Sequence, residues 1–65
     1  MRIWLNGELI ETMANDLAAL VEERGFDVAV VATALNGEFV PRALRAETRI
    51  AEADAVEVLR PMQGG

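Results

Sequence analysis

The segment MRIWLNGELIE, residues 1–11, sets the start of the fold. Its Asn-Gly pair at 6–7 lies between two short runs that are typical of β-strands. Such a pair favours a two-residue turn because both turn positions need a positive φ. The segment therefore predicts a β-hairpin. If Ile3 and Leu5 face a core, the alternation of side chains along a strand directs Trp4 to the opposite face.

One helix is predicted to follow the hairpin. Three apolar residues recur at helical spacing and are expected to face the core: Leu17, Leu20 and Val21. Either Thr12 or Asn15 is expected to cap the helix, with Asp16 in its first turn, where a negative charge suits the positive end of the helix dipole. Gly25 is expected to end the helix in the left-handed conformation, with Phe26 packed beneath it.

Three further strands are predicted in the second half of the chain. The apolar, β-branched run 28–35 leads into a second Asn-Gly pair at 36–37, and a short strand follows at 38–40. The last strand is expected over 55–60. Between these strands, the polar stretch 42–54 predicts a short turn of helix.

The last strand and the first strand define the predicted architecture. Alternation puts Val56 and Val58 on one face and Glu57 and Leu59 on the other. A crossover that contains a helix separates the two strands, so they can lie side by side and parallel. The pattern predicts an α+β fold, a mixed sheet of four to five strands with one main helix packed on one face. Ile50 is the expected inward anchor of the polar stretch.

Composition restricts the function. The chain has 65 residues, room for one small domain, and it contains neither Cys nor His, which excludes thiolate and imidazole chemistry and most zinc sites. It also lacks a clustered Asp-x-Asp loop, so no metal site is predicted. The net charge of −5 disfavours nucleic acid and anionic lipid. Without a long apolar run or a signal-peptide layout, the chain is expected to be cytoplasmic and to bind no membrane.

The chain ends in Gly64 and Gly65. Glycines carry no side chains, so such an end can enter a narrow channel and place its carboxylate in the active site of another protein. Two terminal glycines arise by chance in roughly one sequence in 200, so the pair gains weight only from its context. Pro61 is expected to stop the last strand, which predicts a domain over 1–61 and a flexible tail over 62–65.

Three segments resemble the sulfur-carrier proteins of thiamine biosynthesis, the ThiS family, which have the ubiquitin-like β-grasp fold. The segments are IWLNGE at 3–8, ALNGEFVPR at 34–42 and PMQGG at 61–65, and the resemblance covers nearly the whole chain. It implies that the predicted α+β fold is a β-grasp. One departure is Ala53-Asp54, since the family often has Gly-Asp before the last strand, and this departure concerns the turn geometry rather than the function.

The resemblance implies a carrier on which partner enzymes act, not an autonomous enzyme. In the family, an E1-like activating enzyme uses ATP and magnesium to adenylate the C-terminal glycine, here Gly65. A sulfurtransferase or cysteine desulfurase supplies sulfur, a terminal thiocarboxylate forms, and thiazole synthase receives its sulfur. Gly64 belongs to the same site because a side chain there would clash in a narrow channel. The chain has no phosphate-binding loop and is expected to bind no cofactor itself.

Four residues are candidates for contact with these partners: Trp4, Leu59, Met62 and Gln63. The first two would share the outward sheet face with Ala32 and Ala34, in a small apolar patch that leads toward the tail, and an exposed Trp commonly anchors an interface. The last two would act as spacer and channel contacts. Phe39 could join this patch, but an ordinary edge position is the expectation. A mixed, solvated face is expected for three arginines: Arg42, Arg45 and Arg49.

Three alternatives fit the same features. The small sulfur-carrier subunit of molybdopterin synthase shares the fold and the diglycine end, although those chains are usually longer. A ubiquitin-like protein modifier would instead have its activated glycine attacked by a lysine amine. A plain interaction module would carry its two glycines by accident.

Overall fold

The computed structural model describes residues 1–61, so the tail predicted over 62–65 lies outside the described residues. The elements in chain order are β1 (Arg2–Leu5), β2 (Glu8–Glu11), α1 (Leu17–Glu23), β3 (Ala32–Leu35), β4 (Glu38–Val40), a 3-10 helix (Arg42–Glu47) and β5 (Ala55–Leu59). The strands form one sheet in the order β2-β1-β5-β3-β4. Strand β1 runs parallel to β5, and the other neighbours are antiparallel. The predicted mixed sheet with one main helix is confirmed.

Both Asn-Gly pairs form the predicted turns. Asn6 and Gly7 have φ values of 51° and 81°, and Asn36 and Gly37 have φ values of 50° and 85°. Two successive residues with positive φ define the hairpin turn whose twist matches that of the flanking strands. The turns fix the register of the β1–β2 and β3–β4 hairpins, because each leaves the residues on its two sides directly opposite one another.

The helix begins one residue later than the sequence suggests. Asp16 is the N-cap, and its side chain accepts a hydrogen bond from the backbone N–H of Ala19 at 2.8 Å. The prediction that Thr12 or Asn15 caps the helix, with Asp16 in the first turn, is wrong. Asp16 has extended backbone, which leaves its carboxylate free to reach the first turn.

The helix ends as predicted. Gly25 has a φ of 76°, its N–H donates to the carbonyl of Glu22, and the N–H of Phe26 donates to the carbonyl of Val21. This pair of hydrogen bonds is the Schellman motif, in which a glycine takes the left-handed position just after the helix. Phe26 is half-buried and packs against the core.

The strand predicted over 28–35 is shorter than expected, since β3 begins at Ala32. The preceding residues form a turn around Asp27. Its side chain accepts from the N–H of Ala29, and its carbonyl accepts from the N–H groups of Val30 and Val31. These local hydrogen bonds compete with a strand ladder, which is why a β-branched run turns instead of extending.

The hydrophobic core lies between the sheet and α1. All three predicted helix residues are fully buried: Leu17, Leu20 and Val21. They meet Ile3 and Leu5 of β1 and Val56 and Val58 of β5, the predicted inner face of the parallel pair. Ile50 is also buried in this cluster, as predicted. The core is therefore one-sided, and only one face of the sheet is covered.

The prediction of a solvated face for three arginines is wrong for Arg45, which is 4% exposed. It lies in the 3-10 helix that forms within the polar stretch, as predicted. Its guanidinium donates to the Thr33 hydroxyl at 3.0 Å and to the carbonyls of Val28 and Val31 at 3.0 and 2.7 Å. The planar fork of Arg can reach several acceptors at once, so this cation is held by the turn before β3 instead of by solvent.

The turn before β5 keeps its geometry despite the departure at Ala53. Ala53 has a φ of 70°, in the left-handed region that glycine adopts without strain. The carboxylate of Asp54 accepts from the N–H of Ala51 at 2.8 Å, and the N–H of Ala53 donates to the carbonyl of Arg2. The surrounding hydrogen bonds hold an alanine where the family often has glycine.

Candidate functional site

The outer sheet face, which is the side of the sheet that points away from α1, carries four large apolar side chains that remain exposed: Trp4 (44%), Leu9 (46%), Phe39 (69%) and Leu59 (59%). Strand alternation puts them there, because their neighbours along the strands point into the core. The predicted outward orientation of Trp4 and Leu59 is confirmed. Their role in partner binding stays a prediction.

Strand register places three of these side chains, Trp4, Leu9 and Leu59, in two groups. Trp4 lies opposite Leu9 across the β1–β2 hairpin and beside Ala55 on β5. At the other end of β5, Leu59 lies opposite Ala32 of β3. Ala55 and Leu59 are four residues apart, which corresponds to about 13 Å along a strand. The outer sheet face therefore has two separate apolar groups, one at each end of β5.

Glu57 separates the two groups. It is exposed, it shares the outer face with Ala55 and Leu59, and it lies opposite Ala34 of β3. Ala34 in turn lies opposite Phe39 on the edge strand β4, so Phe39 has the expected edge position and also shares the outer face with Ala34. The sequence suggests a continuous apolar patch that leads toward the tail. In the structure the patch is interrupted, because the carboxylate of Glu57 lies at its centre.

Sequence analysis missed Leu9 as part of this face. The signal was available, because a two-residue turn places Leu5 opposite Glu8, and Trp4 then lies opposite Leu9. Cross-strand pairs of this kind, an aromatic ring against an aliphatic chain, are the basic unit of contact on a sheet face. Leu9 therefore belongs with Trp4 in the candidate surface.

A cleft of about 280 Å³ lies on another part of the molecule, lined by residues of the β2–α1 connection and the end of α1. Here Glu23 accepts from the Thr12 hydroxyl at 2.6 Å and from the N–H of Met13 at 2.9 Å. The Thr12 hydrogen bond holds the pKa of the Glu23 carboxyl below its usual value. These bonds tie the connection to the helix, which is a structural role.

The described part of the chain carries an exposed apolar surface on the outer sheet face. Residues 1–61 contain no cluster of three or more potential ligands that could hold a metal ion. No helix in that range is long and apolar enough to cross a membrane. An apolar surface with a central carboxylate is suited to recognition of another protein. Gly64, Gly65, Met62 and Gln63 lie outside the described residues, so their predicted roles stay predictions.

A sequence model of the ThiS family matches residues 3–65. The chain belongs to the ThiS family. No curated protein matches it at a significant level. Membership in the family supports a sulfur carrier in thiamine biosynthesis that is not itself an enzyme.

Two solved structures are similar to this ThiS-family chain. One is the crystal structure of the thiamine biosynthesis protein ThiS from Geobacter metallireducens, with 28% sequence identity, a TM-score of 0.86 and full coverage of both chains. The other is a solution NMR structure of a thiamine biosynthesis protein from the same organism, with 28% identity and a TM-score of 0.81, covering all of this chain and 88% of that one. The likeness confirms the predicted ubiquitin-like β-grasp fold.

Proposed function

We propose that this chain carries sulfur for formation of the thiazole ring of thiamine, as a thiocarboxylate at Gly65. The observation that carries the proposal is the extent of the family match, which runs through residue 65 and so includes the two glycines. The exposed apolar side chains of the outer sheet face support it, because a carrier has to dock on the enzymes that act on it. The protein is then a co-substrate of partner enzymes, in keeping with the cytoplasmic location expected from its sequence.

The chemistry needs activation because a carboxylate is a poor electrophile. A terminal carboxyl has a pKa of about 3.3–3.7 and is therefore ionised at neutral pH. Its oxygen attacks the α-phosphorus of ATP, pyrophosphate leaves, and an acyl-adenylate forms at Gly65. The outer sulfur of a persulfide on the sulfur donor then attacks the carbonyl carbon and AMP leaves, which gives an acyl disulfide. A second thiol attacks the donor's sulfur of that S–S bond, so a disulfide forms and the thiocarboxylate leaves. ATP and magnesium are held by the E1-like activating enzyme, and a sulfurtransferase or cysteine desulfurase supplies the sulfur.

The outer sheet face is proposed to dock on these partners. Trp4 with Leu9, and Leu59 with Ala32, supply apolar contact at the two ends of β5. The net charge of −5 and the exposed Glu57 favour a partner surface that is apolar at two points and basic between them. Residues 62–65 can span at most about 13 Å when extended, which suits a short channel that begins beside the docked domain.

The test is a reconstituted adenylation assay with the purified activating enzyme, ATP and magnesium. Gly65→Ala should reduce turnover about 100-fold, because a misplacement of the reacting carbon by about 1 Å can have that effect. Conversion of the terminal carboxylate to an amide should abolish adenylation. Met13→Ala is the control, since this side chain is 90% exposed and lies outside the proposed docking face. Full turnover of the amidated chain would refute the proposal.

Whole-protein mass spectrometry from cells separates the carrier from its alternatives. A carrier gains about 16 mass units as one oxygen of the terminal carboxylate becomes sulfur, and thiazole synthase should remove that gain. Transfer of the sulfur to a molybdopterin precursor instead would identify the molybdopterin synthase subunit. Isopeptide-linked ladders would identify a protein modifier. A plain interaction module would show none of these products.

A further inference from the structure

The β1–β5 ladder is short, and a side chain continues it. Backbone pairing between these strands runs from Trp4↔Ala55 to Leu5↔Val56, and the N–H of Asn6 then donates to the carbonyl of Val56 at 2.9 Å. Beyond that point β1 turns away into the hairpin. The strand that leads to the C-terminus would lose its neighbour on this side if nothing replaced the backbone of β1.

The carboxamide of Asn6 replaces it. Its Oδ1 accepts from the N–H of Val58 at 2.9 Å, and its Nδ2 donates to the carbonyl of Val58 at 3.1 Å. One amide therefore satisfies both backbone groups of Val58, which a neighbouring strand would do with groups from two of its peptide units. We call these two hydrogen bonds the Asn6 bracket. Only a carboxamide has a donor and an acceptor in this arrangement, and Asn also tolerates the φ of 51° that the turn requires.

The bracket lies at the end of β5 from which the chain continues. On the opposite side, pairing with β3 extends to Ala32↔Leu59. The last residues of β5 are therefore held from both sides, two positions before Pro61. Partners on both sides restrain the end of β5 more than the single neighbour of an edge strand would, and the chain leaves the sheet from this restrained end.

The second Asn-Gly turn shows the same chemistry at the other end of β5. The Oδ1 of Asn36 accepts from the N–H of Ala55 at 2.9 Å, and its Nδ2 donates to the Asp54 carboxylate at 3.2 Å. Asn36 thus holds the start of the strand, and Asn6 holds its end. The two asparagines match in residue type, turn and backbone conformation, and they differ in their position relative to the C-terminus.

We propose that Asn6 is a positioning residue for activation of the C-terminus. The bracket aims the chain that follows β5, so that the Gly65 carboxylate reaches the adenylating site once the outer sheet face has docked. Asn6 takes no part in the reaction itself. This inference rests on the proposed function, because it assumes that Gly65 is the group that the partner activates.

The experiment compares Asn6→Gly with Asn36→Gly in the full chain. Glycine keeps each turn because it adopts positive φ readily, and it removes only the carboxamide. In Asn6→Gly, amide hydrogen exchange at Val58 should be at least about tenfold faster, in proportion to the loss of a hydrogen bond. Adenylation kcat should fall about 10- to 100-fold, while KM for the carrier stays within about twofold because the docking face is intact.

Asn36→Gly is the matched control. Amide hydrogen exchange should become faster at Ala55 instead of Val58. The kcat and KM of adenylation should both stay close to those of the unchanged chain. The assays are run well below the unfolding temperature of every variant, so that a general loss of stability does not enter. If Asn6→Gly does not fold, Asn6→Asp is used, because it tolerates the same backbone and keeps the acceptor but has no donor for Val58.

Three results would overturn the inference. Exchange at Val58 that stays slow in Asn6→Gly would show that the bracket does not hold the strand. Equal falls in kcat for Asn6→Gly and Asn36→Gly would indicate a general structural effect. A rise in KM without a fall in kcat would place Asn6 in docking instead of positioning. If the unchanged chain is not adenylated at all, the proposed function fails and the positioning role fails with it, whereas the exchange data would still report on the bracket.

Discussion

The two faces of the sheet come from the same alternating strands, yet they differ in what they contribute. On the inner face Ile3 is fully buried and Val56 is 1% exposed, whereas on the outer face Trp4 and Leu59 keep about half of their surface in solvent. Both faces carry large apolar side chains, although the outer face also has Glu57 at its centre. The difference arises because α1 and the segments after it cover only one of them, so the outer face stays exposed.

The largest effect should come from the inner face. Ile3→Ala is expected to reduce the free energy of unfolding by about 2–5 kcal/mol, the range for removal of a fully buried aliphatic chain. Trp4→Ala removes more carbon atoms, but it should reduce the free energy of unfolding by no more than about 1 kcal/mol, which is what one cross-strand side-chain pair contributes. Urea unfolding of both variants checks this. Ile3→Val, with an expected loss of about 0.5–1.5 kcal/mol, serves if Ile3→Ala does not fold.

Substitutions on the two faces should rank in the opposite order in their effect on binding. Trp4→Ala is expected to weaken binding to the activating enzyme at least about fivefold, as loss of an interface anchor does, and Ile3→Val should leave it unchanged. Titration calorimetry provides the measurement. A large loss of stability in Trp4→Ala with unchanged binding would mean that the outer face is structural.

Loss of the buried Arg45 side chain is expected to lower the free energy of unfolding by less than the largest loss expected for Ile3→Ala. Arg45→Ala should cost about 2–3 kcal/mol of stability, because it leaves the carbonyls of Val28 and Val31 without their donor. Arg42→Ala is the control, since Arg42 is exposed in the same 3-10 helix and should change stability by less than about 0.5 kcal/mol. Equal losses in thermal unfolding of the two variants would contradict the role given to Arg45.

The smallest effect lies outside both faces, in the turn before β5. Ala53→Gly is expected to raise stability by about 0.5–1 kcal/mol. Glycine removes the strain of about 1–2 kcal/mol that an L-residue has in the left-handed region, and the greater freedom of glycine in the unfolded chain offsets part of that gain. Ala55→Gly, in the strand itself, should lower stability by a similar amount. Thermal melts of both variants decide the point, and a loss of stability in Ala53→Gly would show that Ala53 is unstrained.

Features that depend on neighbours in sequence were predictable. The Asn-Gly turns, the helix face of Leu17, Leu20 and Val21, and the end of the helix at Gly25 all follow from backbone preferences and periodicity over a few residues. The parallel pairing of the first and last strands was also predictable, because the crossover between them contains a helix. From these features the outward orientation of Trp4 and Leu59 follows by alternation alone.

Features that depend on side-chain hydrogen bonds between residues far apart in sequence were not predictable. A cluster of arginines and glutamates is usually solvated, and nothing near Arg45 in sequence indicates that its partners lie 12 to 17 residues away. Asn6 has the sequence pattern of an ordinary turn residue, and its partner Val58 is 52 residues distant. Asp27 shows the same limit at short range, because its hydrogen bonds outweigh the strand preference of the valines that follow.

The sequence by itself determined the two Asn-Gly turns, the inward residues of β1, α1 and β5 and, through its resemblance to a family, the proposed reactive end. These depend on local backbone preference, on periodicity and on recognisable motifs. Tertiary structure alone decided that Arg45 is buried, that Glu57 lies between two apolar groups and that Asn6 holds the last strand. Those facts depend on which strands become neighbours. Contacts between residues more than 50 positions apart in sequence are set by the packing of the whole domain.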